Sequence, residues 1–197
     1  MRLNLEPAVS QSTVPRQRVL DTAYALFSRR GIGGVELEEV IEGAGVSPEE
    51  FSGEFQSKDE LVLAFLEQRE ELWTRGWVEA EARKRGDTSE EQLLAIFDLF
   101  HEWFQREDYE GCSFINVLLE HGGREHEPLG RAAAVHLETI RAFIRTLAEE
   151  ENLRDPAEFA SVFHILMKGS IVQASEGDLL AARRARAAAR MLIDQHR

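Results

Sequence analysis

The chain has 197 residues, 43% of them hydrophobic, and 36 Asp and Glu against 23 Lys and Arg leave a net charge of −13. That length supports a real core, and the single cysteine, Cys112, excludes an intramolecular disulfide and points to a reducing, cytoplasmic compartment. Charge interrupts each apolar run before the roughly 20 residues that a bilayer span needs, so no membrane partner is expected, and the acidic excess confines any nucleic-acid contact to a local surface.

Residues 1–14 lack periodicity and contain Pro7, which predicts a flexible arm. From 16 to 30, Val19, Leu20, Ala23, Leu26 and Phe27 recur at spacings of three and four, a helical stripe that Gly31 ends. A short helix is predicted from Leu37 to Glu42, broken by Gly43-Ala44-Gly45. Ser47 suits an N-cap, Pro48 the first helical position, and Glu50 completes a capping box for a third helix that carries Phe51 and Phe55 one turn apart. Ser57 and Glu60 form a second box at the head of a long helix through Leu61, Phe65, Leu72 and Trp73 to Gly86. Further helices are predicted at 89–105, 113–121, 128–149, 156–176 and 178–195, about nine in all, with no strand and no internal repeat. The predicted fold class is all-α.

Two short helices joined by a tight Gly-containing turn, with a preceding helix across them, are the arrangement that presents the last helix to a DNA major groove. The residues Val19-Leu20, Ala23, Leu26-Phe27, Gly31, Val40, Ala44-Gly45-Val46-Ser47, Phe55, Ser57-Lys58 and Leu61 resemble the N-terminal domain of the TetR family of transcriptional regulators. The segment from Gly111 to Asn116 and the Ala/Arg-rich last helix resemble that family's ligand-binding domain.

The resemblance implies a helix-turn-helix DNA-binding domain over 15–60 and a helical effector-binding and dimerisation domain over 61–197. It implies a homodimer that acts as a repressor on a double-stranded DNA operator, released by an unknown small-molecule effector, with no enzymatic activity and no cofactor. DNA contacts are expected from Arg16, Arg18, Ser47, Pro48, Glu49, Ser52 and Lys58. The sequence departs from the family's pattern in its reading helix. Where relatives offer lysine, glycine, threonine and a phosphate-contacting tyrosine, this chain has Pro48, Glu49, Glu50 and Ser52, followed by Glu54, and Glu36 replaces the usual threonine at the start of the second helix. Over residues 1–60, six basic residues stand against eleven acidic ones, a balance of −5. Phosphate neutralisation supplies most non-specific DNA affinity. The competing reading is therefore a small-molecule-binding or interaction protein on the same scaffold, with operator binding lost or altered.

In the body, the mid-helix residues Trp103, Phe104, Phe114, Phe143 and Met167 are the candidates for an effector pocket. Apolar stripes on the last two helices, with Phe159, Val162, Phe163 and Leu166 on one and Ala181, Arg184, Ala185, Ala188 and Leu192 on the other, are the candidate dimer interface. No metal site is expected: His121, Glu125 and His126 flank a Gly-Gly turn without the i, i+4 histidine pair of helical zinc motifs. His136 and His164, on apolar helices, read as core histidines, and Cys112 as a small buried residue.

Overall fold

A computed structural model describes residues 14–121 and 128–197, so all but Val14 of the predicted arm, together with Glu125 and His126, lie outside the described residues. The helices are α1 (Pro15–Arg30), α2 (Leu37–Ala44), α3 (Pro48–Glu54), α4 (Lys58–Arg69), α5 (Ala80–Arg85), α6 (Ser89–Phe104), α7 (Ser113–His121), α8 (Pro128–Glu150), α9 (Pro156–Ser175) and α10 (Ala181–His196). A π-helical stretch, Glu70–Glu79, links α4 to α5, which leaves nine separate helices among the described residues, and no strand.

The long fourth helix was expected to be α-helical throughout, and the π stretch is a difference with a visible cause. Its buried residues form two rows at four-residue spacing, Arg69, Trp73 and Trp77 beside Glu70, Thr74, Val78 and Ala82. Rows spaced by four drift around an α-helix of 3.6 residues per turn, whereas a wider turn keeps them on one side.

The chain divides into two compact units, Met1–Trp73 with Ser113–Ala134, and Thr74–Cys112 with Val135–Arg197. In the first, α1 packs against α2, α3 and α4. Val19, Ala23 and Phe27 of α1 meet a core that includes Val40, Phe51, Phe55 and Phe65. Phe65 makes edge-on contacts with Tyr24 and Phe27 at 5.6 and 5.5 Å. Arg69 is buried at the end of α4, donating to the Tyr24 hydroxyl at 2.9 Å. In the second unit α10 lies on α6 and α9. Its buried face is alanine over the first turns, at positions 181, 182, 185 and 189, small enough for the helix to approach closely, and ends in Leu192 and Ile193. The core there is aromatic, with Phe97 against Phe163 at 5.0 Å and Trp103 edge-on to Trp77 at 6.0 Å.

Candidate nucleic-acid interface

The turn between α2 and α3 is three residues long and begins at Gly45, whose φ of 61° is the left-handed conformation that glycine adopts at least cost. Gly43 is needed for a different reason. A Cβ there would lie 2.9 Å from Thr22 Cγ2, so α2 crosses α1 too closely for a side chain.

The capping box at α3 is formed as the sequence predicts. Ser47 Oγ accepts from Glu50 N at 3.1 Å, and the Glu50 carboxylate accepts from Ser47 N at 2.7 Å. At α4 only half of the predicted box is present. Ser57 Oγ accepts from Glu60 N, but the Glu60 carboxylate takes the Gln56 N–H at 2.7 Å. Phe51 and Phe55 face inward, while Pro48, Glu49, Ser52 and Gly53 form the exposed side of α3. The Ser52 hydroxyl donates to Pro48 O at 2.8 Å. Its own N–H and the Ser47 hydroxyl hold the Glu49 carboxyl below the usual carboxylate range.

Arg16, Arg18 and Lys58 each have a structural task. Arg16 Nη1 donates to Glu54 O at 2.9 Å, closing the carboxyl end of α3, with its guanidinium 4.4 Å from the Phe55 ring centre. Arg18 Nη1 reaches Ala44 O and Gly45 O at the end of α2, at 3.3 and 3.0 Å. Lys58 Nζ donates to Val35 O at 2.6 Å. These acceptors are neutral carbonyls, so all three cations keep their net charge. Arg30 differs, because it pairs with Glu39 at 2.5 Å. That pairing, with the Glu36 N–H, holds Glu39 down to about 2.

The sequence did not expose the cap-closing tasks of Arg16 and Arg18, since each bridges more than twenty residues to a carbonyl that only the fold brings near. The same holds for Arg69, which sits on a helix whose inward stripe reads as purely apolar.

A family model described as bacterial regulatory proteins, tetR family, matches residues 19–65, which include α2, α3 and nearly all of α1's inward stripe. The HTH-type transcriptional regulator YjdC of Escherichia coli K12 is 26% identical over 176 residues, spanning 86% of this chain and 90% of its own. Residues 19–65 carry a TetR-type helix-turn-helix. Among solved structures, a protein described as a TetR transcriptional regulator, from Streptomyces avermitilis, is 29% identical with a TM-score of 0.80, covering 94% of this chain and 98% of that one. A TetR-family regulator from Streptomyces coelicolor has a TM-score of 0.82 over 94% of this chain and 97% of that one, and at 22% identity that likeness bears on the fold alone. TetR-family proteins are transcriptional regulators with a DNA-binding helix-turn-helix and are not enzymes.

The residues predicted for the TetR body fall in different places. Trp103, Phe104 and Met167 are buried in the second unit, where Tyr109 stands edge-on to Trp103 at 4.9 Å and to Phe104 at 5.2 Å. Phe143 is half-buried, with the Arg83 guanidinium 5.6 Å from its ring centre. Phe114 is buried on α7, in the first unit. Cys112 is buried, as expected for a small core residue. Of the predicted dimer residues, Phe159, Phe163, Ala181, Ala185 and Leu192 are turned into their own subunit and have almost no surface to offer a second chain. Val162, Leu166 and Ala188 are partly exposed and Arg184 fully so. The uncovered apolar residues are others: Ile165 and Val172 on α9, Leu179 and Leu180 in the following loop, and Met191 on α10. Sequence periodicity gives the apolar side of a helix and not how much of it the rest of the subunit already covers.

Among the described residues no three His, Cys, Asp or Glu gather as metal ligands, and no helix is long and apolar enough to cross a membrane.

Proposed function

We propose that this chain is a TetR-family regulator that binds a double-stranded DNA operator as a homodimer, acts as a repressor, and is released by a small molecule taken up in its body. The observation that carries the operator reading is α3: a capped helix with its aromatic side buried and its other side bare, packed on α1 and joined to α2 by a three-residue turn. Arg16, Arg18 and Lys58 support it, since each retains its positive charge and further N–H donors that can turn to phosphate. Ser47, Pro48, Glu49 and Ser52 would supply the rest of the contact.

Dimerisation is supported by the bare apolar residues of α9, α10 and the loop between them, together with Gly169, which is exposed and has nothing within 4 Å of where a Cβ would stand. Effector uptake is supported by the aromatic second unit and by two buried polar atoms without a protein partner, Thr74 Oγ1 and His164 Nδ1. A ligand can supply such missing bonds.

One observation favours a second reading, in which the scaffold binds a small molecule or partner without operator recognition. The exposed charge on α3 is negative, and Arg30 is neutralised by Glu39. Anisotropy titrations against the DNA upstream of the chain's own gene, repeated over a range of salt, separate the two. The regulator reading expects a sequence-specific complex that weakens as salt rises. Absence of any sequence-specific complex at low salt would falsify it.

A further inference from the structure

The exposed side of α3 has an unusual hydrogen-bonding character. Pro48 has no N–H and Gly53 no side chain. The Ser52 hydroxyl gives its hydrogen to Pro48 O, which leaves only lone pairs outward. Glu50 is occupied with Ser47 N, and Glu54 is half-buried. Glu49 stands near the middle of this face, and its carboxylate, which accepts from its own N–H and from the Ser47 hydroxyl, keeps lone pairs that can accept from a base. The face therefore accepts hydrogen bonds and donates none from its side chains.

Each base pair shows the major groove a distinct set of donors and acceptors. Guanine offers N7 and O6, both acceptors, which a carboxylate repels. Thymine offers an acceptor and a methyl group. Adenine has a donating amine beside the acceptor N7, so a carboxylate gains one bond there and meets one repulsion. Cytosine presents its N4 amine alone. We infer that Glu49 is the specificity-determining residue of the operator contact, reading cytosine through the N4 amine. The short neighbours Ser52 and Gly53 favour this by letting the helix approach the base edges closely. This rests on the operator reading above and deepens it: the half-site carries a cytosine at the position facing the start of α3.

The test is selection of duplexes from a randomised pool by the full-length chain at about 50 mM salt, where phosphate attraction is strong. Anisotropy on the selected duplex and its single-base variants then follows. Wild type is expected to lose about tenfold in affinity when one cytosine per half-site is replaced by any other base. E49A should bind all four bases at that position within about twofold of one another, and E49Q should prefer adenine, whose N6 and N7 match a carboxamide. Glu49 is exposed, so both variants should fold, and matched thermal unfolding verifies this. A selected sequence whose cytosines are equally important to wild type and E49A overturns the inference while leaving the operator reading intact. A pool that yields no preferred sequence overturns the operator reading, and this inference with it.

Discussion

His164 shows how one buried residue sets a pH response. It is 3% exposed on α9, and burial, aided by the charges of Lys168 and Arg141, pushes its imidazole down to about 3 from 6.5. Between those values the unfolded chain binds a proton that the folded chain refuses, so this residue's contribution to stability is full above about 6.5 and falls as the pH drops towards 3. The slope is on the order of 1.4 kcal/mol per pH unit. Carboxylates such as Glu39 also weaken the fold in acid, so the comparison that isolates His164 is with H164Q. Urea unfolding of both proteins at pH 7 and pH 5 should show a smaller loss for the variant, and equal losses would mean that the imidazole is protonated in the folded state. Arg69 is the converse, a charge kept inside by its hydrogen bond to Tyr24. Because R69M keeps an unbranched apolar stem but removes the charge and its bonds to the Tyr24 and Ser28 hydroxyls, it should cost about 2 kcal/mol, readable as a lower urea midpoint with an unchanged m-value.

The reading helix is stable for reasons that have little to do with its length. Seven residues are too few to hold a helix in water, so α3 depends on its Ser47–Glu50 box, on Arg16 at its far end, and on burial of Phe51 and Phe55. F51A should cost about 3 kcal/mol, with melting as the readout. The charge on the bare side tests a separate property. Replacing Glu49 and Glu54 by lysine should strengthen binding to random-sequence DNA and steepen the dependence of log K on log salt, by about one to two per head if both new charges reach phosphate. An unchanged slope would place α3 away from the backbone. Both helix starts and the turn glycine were legible from local spacing, because caps and left-handed glycines act within a few residues. The π stretch was not: it follows from which side of the rod is covered over many turns, and the residue types alone read as an ordinary amphipathic helix.

Assembly is decided by surface left over after the subunit has packed. If α9 and α10 meet a second copy, light scattering should report about twice the 22.4 kDa of the single chain. G169L is the discriminating variant. Within one subunit the site is open, and replacing a mid-helix glycine should raise monomer stability by roughly 0.5–1 kcal/mol. Between two closely packed helices the same leucine is a wedge, so the variant should be monomeric, more stable as a subunit, and weaker on a two-half-site duplex. A G169L that still forms the full dimer would move the interface elsewhere. Of the residues first named for this surface, the large aromatics were inward, and Ile165, Val172 and Met191 are what remains outside.

The all-helical class, most helix boundaries, the helix-turn-helix and the capping of α3 were already determined by the sequence, because each depends on periodicity or on chemistry within one turn. Tertiary structure decided which positive charges close helix ends, which apolar residues are covered and which stay bare, and that α3 shows the solvent an acceptor-only face. These depend on distances between residues far apart in the chain, and a linear pattern carries no record of them.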